Sequence, residues 1–283
     1  MPELPEVETT LRGIEPYVYQ RAITDIVVRE SRMRWPVPTA DLKALIGRTV
    51  THIERRAKYI LMHTDAGVIL LHLGMSGSLR VLKNGAEKGV EKGVEKGAEL
   101  GKHDHIDLCF DNNAIVRFND PRRFGCCLLI QQPINEHKLI AKLGPEPLSD
   151  SFDSDYLYFK ARQRSAPIKN VIMDGHVVVG VGNIYASEAL YESGIRPTKP
   201  ANKIGKQRIE RLTQEIRAVL AKAIKAGGTT LKDFTQTDGK PGYFRHELQV
   251  YGRKGENCYR CGSQIKSLVL GQRNTFYCGN CQR

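Results

Sequence analysis

Two Cys-x-x-Cys pairs near the end of this 283-residue sequence have the residue type and spacing of a metal site. Sixteen residues separate the pairs, which is within the range found for structural zinc sites. Disulfide bonds or a redox pair are the alternative, which we disfavour because the acidic first residues do not resemble a secretory signal. The sequence therefore predicts one structural Zn²⁺ ion held by four thiolates, those of Cys258, Cys261, Cys278 and Cys281.

The charge of the chain indicates a polyanionic partner. Lys and Arg number 43 and Asp and Glu number 31, so the formal net charge is +12. Nucleic acid or an anionic membrane surface suits such a surplus. The membrane alternative fits poorly, because the longest apolar runs, such as 68–71 and 126–130, are too short to span a bilayer. We expect a protein that binds nucleic acid, does not bind membranes, is not secreted and is cytoplasmic.

The segment that holds the cysteine pairs is itself basic. Between Arg245 and Arg283 it carries seven Lys or Arg residues against Glu247 and Glu256, a net charge of +5 in 39 residues. A compact zinc module of that charge is suited to phosphate contacts. The alternative is a knuckle that only stabilises the fold.

The first 130 residues indicate one helix followed by β-structure. Pro5 and Glu6 favour a helix start, and apolar residues at helical spacing follow them. The predicted strands are 22–30, 50–63, 68–73, 79–82, 106–110, 114–118 and 125–130. This spacing is typical of a sandwich or barrel. Cys109, Cys126 and Cys127 fall within the strands and are predicted to be buried small hydrophobes rather than ligands.

Residues 84–102 form a low-complexity segment in which a four-residue unit of Gly, Glu and Lys repeats. Glycine at every fourth position weakens a helix by about 1 kcal/mol each, and the same period stacks glutamates over one another. We therefore predict a flexible, solvated loop.

The second half of the chain is predicted to be largely helical. Prolines within 131–155 indicate a linker. The clearest helix is 208–226, where apolar residues form one stripe and Gly227 and Gly228 end it.

Five motifs in chain order resemble the formamidopyrimidine-DNA glycosylase family. They are PELPEVET at 2–9, HLGMSG at 72–77, DPRRFG at 120–125, VGVGNIYA at 179–186 and the four-cysteine tail. The resemblance runs nearly end to end, with 84–102 as an insert. It implies an α+β fold: an N-terminal helix plus β-sandwich (1–131), a linker (132–154), a helix–two-turn–helix domain (155–244) and a C-terminal zinc finger (245–283).

The resemblance also implies a bifunctional DNA glycosylase and AP lyase that acts as a monomer on damaged double-stranded DNA. It would excise oxidised purines, notably 8-oxoguanine and formamidopyrimidines, and cut the strand by β,δ-elimination. Pro2 would be the nucleophile once Met1 is removed, because an α-amino group has a pKa of only about 7.7–8.0. Glu3 would be the general acid and base, Glu6 would support it, and Lys58 would hold phosphate near the lesion.

The same resemblance implies DNA contacts around a nucleotide flipped out of the stack. Met75 would fill the vacated space, Arg122 would face the orphaned cytosine and Phe124 would wedge the neighbouring step. Methionine and phenylalanine are more often core residues, but glycine-flanked loops predict that these two are exposed. His72, Lys169, Asn183 and Arg273 are the other predicted contacts, and Arg273 is also counted as catalytic. A lesion-capping loop is expected at Thr237, Asp238, Gly239, Lys240, Pro241, Gly242 and Tyr243.

Two other functions remain open at this point. A related lyase that prefers oxidised pyrimidines is disfavoured by the Arg122 and Phe124 pair and by the loop at 237–243. A non-enzymatic zinc protein that binds DNA has no use for the Pro2-Glu3 start. A nicking assay on a damaged duplex separates this last alternative from an enzyme.

Overall fold

The computed structural model describes residues 2–83, 95–96, 100–229 and 247–283. These residues form two compact units, one of 2–141 with 227–229 and one of 142–226 with 247–283. The predicted lesion-capping loop at 237–243 lies outside the described residues. No helix in the described ranges is long and apolar enough to cross a membrane.

The first unit begins with helix α1, Leu4–Val18, where the sequence predicts a helix. Glu3 is its N-cap, and Glu6 lies in the first turn, where a carboxylate favours the positive end of the helix. The buried face carries Val7, Leu11 and Ile14, which belong to the core cluster of the unit. The helix therefore holds the first residues of the chain against the sandwich.

Two sheets share this core. The strands are β1 Ile23–Val28, β2 His52–Arg56, β3 Tyr59–Thr64, β4 Gly67–His72, β5 Ser78–Lys83, β6 Glu95–Lys96, β7 Asp104–Phe110, β8 Ala114–Asn119 and β9 Cys126–Ile130. The five-stranded sheet has the order β1-β7-β8-β5-β6, and the four-stranded sheet has the order β2-β3-β4-β9. A short helix α2, Thr39–Lys43, follows β1. Residues from both sheets are buried in one cluster, and each such Val, Leu or Ile contributes about 1.5–3 kcal/mol.

Two strand predictions differ from the structure. The predicted strand 50–63 is a hairpin of β2 and β3, closed at Ala57, which adopts φ +55°. No glycine or proline marks this turn, so the sequence has no local signal for it. Within the predicted loop 84–102, residues Glu95 and Lys96 pair in parallel with β5, which contradicts the loop prediction at those positions. Residues 84–94 and 97–99 lie outside the described ranges.

The second unit is helical and ends in a hairpin. Its helices are α3 Ser154–Arg162, α4 Ile168–Met173, α5 Asn183–Glu192 and α6 Lys206–Lys225. A short 3₁₀ turn occurs at Ala201–Lys203, and a second one, at Ile134–Glu136, belongs to the first unit. The hairpin is β10 Ile265–Leu270 with β11 Arg273–Cys278. Helix α6 confirms the predicted helix at 208–226, because Ile209, Leu212 and Ile216 of the stripe are buried.

Candidate functional site

The N-terminal residues are buried and tightly held. Pro2 is buried, and Glu3 and Glu6 are only 3% and 2% exposed. The Glu6 carboxylate accepts the Glu3 backbone N–H at 2.8 Å through Oε2. The Glu3 carboxylate in turn accepts the Glu6 backbone N–H, and the two bonds form a capping box. The side chains of Glu3 and Glu6 are thus fixed by hydrogen bonds at the start of α1, directly after Pro2 in the chain. An amine nucleophile requires an acid and base nearby, and Glu3 is the adjacent residue.

The second oxygen of Glu6 binds a residue from a distant part of the chain. Glu6 Oε1 accepts the backbone N–H of Thr229 at 2.8 Å. Gly228 has φ +79°, and a Cβ there would lie 3.2 Å from the same oxygen. The Gly227-Gly228 pair therefore ends α6, as predicted, and also permits close approach to Glu6. This second role has no signal in the sequence, because it depends on a contact between residues 223 positions apart.

Met75 and the Arg122–Phe124 pair lie in two neighbouring loops of the first unit. The 73–77 loop joins β4 to β5, and the 120–125 loop joins β8 to β9, so both loops pass from one sheet to the other. Met75 is 37% exposed and Phe124 is 41% exposed, which confirms that neither is a core residue. The Arg122 guanidinium lies 4.9 Å from the centre of the Phe124 ring. These side chains are available to a ligand.

Glycine allows these two loops to touch through their backbones. Gly74 has φ +63°, and a Cβ there would lie 2.5 Å from the Gly125 nitrogen. A Cβ on Gly125 would lie 2.5 Å from the His72 carbonyl oxygen. Larger residues at either position would therefore separate the loops.

His72 lies at the base of the 73–77 loop. Its Nδ1 accepts the Gly74 N–H at 3.0 Å, and its ring centre lies 5.0 Å from that of Tyr59. Burial, together with the charges of Lys58 and Arg34, lowers the pKa of His72 to about 4. The imidazole is therefore neutral near pH 7, and Nε2 carries its hydrogen as a donor. Lys58 is half-buried in the turn that joins β2 to β3.

Lys169 joins the helical part of the second unit to its hairpin. The side chain is fully buried, and Nζ donates to Asn183 Oδ1 and, at 2.7 Å, to Thr275 Oγ1. Asn183 Nδ2 in turn donates to the Asn274 carbonyl at 2.9 Å. Arg273 is exposed at the start of β11. Lys169 thus holds Asn183 at the start of α5, where Asn183 binds the carbonyl of Asn274 in β11. The contact of Lys169 itself with DNA stays a prediction.

The four tail cysteines form one cluster. Their sulfur atoms lie within 4.8 Å of one another, and no other group of potential metal ligands of this kind occurs among the described residues. Four thiolates at this separation fit a tetrahedral Zn²⁺ ion, as predicted. The Tyr191 hydroxyl lies 3.2 Å from Cys258 Sγ and connects α5 to the cluster.

The other three cysteines are not ligands in this cluster. Cys126 and Cys127 are buried, as predicted, and Cys109 is only partly buried. Burial raises the pKa of Cys126 to about 12, so it remains a thiol.

Three family models match successive parts of the chain. They are the formamidopyrimidine-DNA glycosylase N-terminal domain (residues 1–127), the H2TH domain of the same glycosylase (143–235) and a zinc finger found in FPG and IleRS (255–283). The formamidopyrimidine-DNA glycosylase of Thioalkalivibrio sulfidiphilus is 53% identical over 283 residues, with all of both chains covered.

Solved structures are similar over almost the whole chain. The Lactococcus lactis Fpg bound to DNA with an abasic site is 34% identical with a TM-score of 0.87, and 99% of both chains is covered. A MutM in complex with DNA containing carbocyclic 8-oxo-G is 33% identical with a TM-score of 0.87, and 100% of both chains is covered. The fold and the four-thiolate site define a zinc-finger DNA glycosylase with AP lyase activity. The chain belongs to the formamidopyrimidine-DNA glycosylase family.

Proposed function

We propose that this enzyme excises oxidised purines from double-stranded DNA with the Pro2 nitrogen as nucleophile, and then cleaves the strand by β,δ-elimination. The observation that carries the proposal is the buried Pro2-Glu3 start, held by the Glu6 carboxylate. The similar solved structures support the class of substrate, since their DNA contains an abasic site or an 8-oxo-G analogue. We further propose that it acts as a monomer at the nucleoid.

Removal of Met1 would make the Pro2 nitrogen a free secondary amine. Its lone pair attacks the anomeric carbon of the damaged nucleotide, the bond to the base breaks, and the base leaves with the bonding electrons and with the proton that the nitrogen releases. Glu3 protonates the ring oxygen as the sugar opens, and the nitrogen and the anomeric carbon become an iminium. The iminium acidifies the adjacent C2′–H, whose loss expels the 3′ phosphate, and loss of the C4′–H then expels the 5′ phosphate in a second elimination.

Glu6 has a positioning role in this scheme. One of its oxygens fixes the Glu3 amide and the other fixes the Thr229 amide, so the carboxylate is already engaged on both sides. It therefore orients Glu3 and the first turn of the chain rather than exchanging protons with the sugar. The same bond holds the chain immediately before the segment that contains the proposed lesion-capping loop, residues 237–243.

The proposed DNA contacts fall into two groups. The first group acts where the damaged nucleotide leaves the stack, which it must do before its sugar can be reached. Met75 fills the vacated space, Arg122 faces the orphaned cytosine and Phe124 wedges the neighbouring step. The second group binds phosphate and consists of Lys58, His72, Asn183 and Arg273. Two observations support this assignment: His72 is a neutral donor, and Asn183 is held by the buried Lys169. Arg273 is placed by the hairpin, which the zinc ion would hold together.

The test is incubation with a duplex that carries 8-oxoguanine opposite cytosine, with and without borohydride. Borohydride reduces the iminium, so a covalent protein–DNA adduct should appear, and peptide mapping should place the DNA on Pro2. A variant that retains Met1, or carries an N-terminal tag, should lose both steps because an amide nitrogen is not nucleophilic. Normal base excision by the blocked protein would exclude Pro2 as the nucleophile.

A pair of glutamate variants tests the role of Glu3. Glu3→Gln should bind the duplex as the parent does but lose base excision, because the carboxyl acts on the sugar and not on phosphate. Glu15→Gln, at the other end of α1, is the matched control and should excise at the parent rate. Equal excision by both variants contradicts the role of Glu3.

A further inference from the structure

Asp120 is a fully buried carboxylate at the start of the 120–125 loop. Its Oδ2 accepts the Gly125 N–H at 2.8 Å. Its Oδ1 accepts the Ser76 hydroxyl at 3.1 Å and the Arg122 N–H at 3.3 Å. One carboxylate therefore contacts the 73–77 loop and both ends of the segment that presents Arg122 and Phe124.

The backbone of Asp120 is fixed as well. Its amide donates to the His103 carbonyl at 3.0 Å, and its carbonyl accepts from Arg123 N–H at 3.1 Å. The same carbonyl accepts from His105 Nε2 at 2.9 Å. Because His103 and His105 bind the two backbone groups from outside both loops, the position of the carboxylate is set independently of the rest of either loop. It acts as a fixed point from which both loops are positioned.

The strand register brings the two loops side by side around this point. His72 pairs with Cys126 where the loops meet the four-stranded sheet, and Ser78 pairs with Asn119 where they meet the five-stranded sheet. Both loops therefore span the same gap between the sheets. Between these ends, the Asp120–Ser76 bond connects the loop that carries Met75 to the loop that carries Arg122.

Asp120 differs from the other buried aspartates of the sandwich in its partners. Asp107 forms ion pairs with Arg29 and Arg117, whereas Asp120 forms no ion pair within the described parts of the chain. A buried carboxylate with neutral donors only is a poor means of stabilising a fold, because it loses hydration without gaining a cation. Three directional hydrogen bonds do fix geometry, and the groups that they fix belong to the two loops.

We propose that Asp120 is a positioning residue for recognition of the base opposite the lesion. It holds the 73–77 and 120–125 loops in one relative arrangement, so that Met75 and Arg122 enter the duplex together. This inference rests on the proposed function, in which Arg122 faces the orphaned cytosine. It predicts that weakening the Asp120 contacts reduces discrimination between cytosine and adenine opposite 8-oxoguanine, while contacts with phosphate are unaffected.

The experiment compares Ser76→Ala, Asp120→Asn and the matched control Asp107→Asn in the full-length zinc protein. Single-turnover excision of 8-oxoguanine opposite cytosine and opposite adenine gives the discrimination ratio for each variant. Ser76→Ala and Asp120→Asn should lower this ratio by about threefold to tenfold, the size of coupling expected between contacting groups. Their binding to undamaged duplex should stay at the parent value. Asp107→Asn should lower the urea midpoint and keep the parent ratio.

Hydrogen exchange without DNA supplies an independent measurement. Ser76→Ala should speed amide exchange in both loops, whereas Asp107→Asn should speed it in β7 and β8 instead.

The proposal is overturned if Ser76→Ala changes neither the discrimination ratio nor amide exchange in the 120–125 loop, or if Asp107→Asn lowers the discrimination ratio equally. If the Asp120→Asn variant does not fold, the results for Ser76→Ala alone test the proposal. If the parent protein excises no 8-oxoguanine, the proposed function is contradicted. Amide exchange in the 73–77 and 120–125 loops then still tests whether Asp120 holds the two loops together.

Discussion

The two arginines proposed to contact DNA occupy different kinds of element. Arg122 lies over Phe124 in a loop whose backbone amides bind Asp120. Arg273 is exposed at the start of β11, next to the Asn274 carbonyl that Asn183 binds. A phosphate contact and a contact with a base have different signatures, because only the first is independent of sequence.

We expect Arg273→Ala to weaken binding to every duplex, damaged or not. Loss of one phosphate contact should reduce the slope of log K against log salt by about 1. Arg122→Ala should leave that slope nearly unchanged and instead reduce discrimination at the opposite base. Fluorescence anisotropy titrations over a series of salt concentrations measure both slopes. The assignment of Arg273 is wrong if its alanine variant keeps the parent slope.

At the scale of the element, the zinc hairpin has little core apart from its metal ligands. Its buried cluster comprises Tyr191, Val250, Cys258, Ile265 and Cys278, two of which are ligands. The Tyr191 hydroxyl contributes a hydrogen bond to Cys258 from α5. In modules of this size the free energy of metal binding is largely the free energy of folding.

Cys258→Ser, or treatment with a strong chelator, should therefore unfold the hairpin and abolish DNA binding. Cys109→Ser is the matched control, because Cys109 lies in β7 and outside the cluster. Metal analysis should give one zinc per parent chain and per Cys109→Ser chain, and less for Cys258→Ser. Limited proteolysis should cut within 247–283 only after zinc loss. Folded, active parent protein without zinc would refute this expectation.

At the scale of the whole molecule, burial has opposite outcomes for the pKa of two aspartates in the first unit and of one glutamate in the second. In the first unit, burial alone would raise the pKa of Asp107, but hydrogen bonds and charge from Arg117 and Arg29 lower it. Burial alone would also raise the pKa of Asp104, but hydrogen bonds from Asn119 and the Gly101 amide lower it together with the nearby Arg80. In the second unit, burial raises the pKa of Glu188 although it accepts three backbone N–H groups.

These directions predict that acid destabilises the first unit. Aspartates with a lowered pKa stabilise the fold above the unfolded pKa of about 3.9, and this contribution is lost as the pH falls towards the folded pKa. The contribution of Glu188 to stability changes with pH in the opposite direction, because Glu188 takes up a proton more readily in the folded protein than in the unfolded chain. The first unit should therefore lose stability between about pH 5 and pH 3, and Glu188 should offset part of the acid effect in the second.

The single tryptophan allows this to be measured in one unit. Trp35 lies in the first unit, and its ring centre is 4.4 Å from Lys138 Nζ. Its fluorescence therefore reports the unfolding of that unit. We expect its urea midpoint to fall by at least about 0.5 M between pH 5 and pH 3. Asp107→Asn should start from a lower midpoint and show a flatter pH dependence. An identical pH dependence in the variant and the parent would contradict the assignment.

Features that have a local signal could be predicted from the residues alone. The spacing of the cysteine pairs predicted the thiolate cluster, and the apolar stripe with Gly227-Gly228 predicted α6 and its end. Glycine flanks predicted that Met75 and Phe124 would be exposed. Where a local signal was missing, the prediction failed: the turn at Ala57 contains neither glycine nor proline, so one strand was expected where the structure has a hairpin.

Which buried polar groups form hydrogen bonds with one another depends on the folded arrangement of the chain. Glu6 binds the Thr229 amide across 223 positions, Lys169 binds Thr275 across 106, and Asp120 binds Ser76 across 44. Such pairs leave no periodic pattern, because each partner is selected by the packing of elements that are distant in the chain. A buried donor or acceptor must find a partner wherever the fold brings one. The residues that position the site are for this reason visible only once the chain is folded.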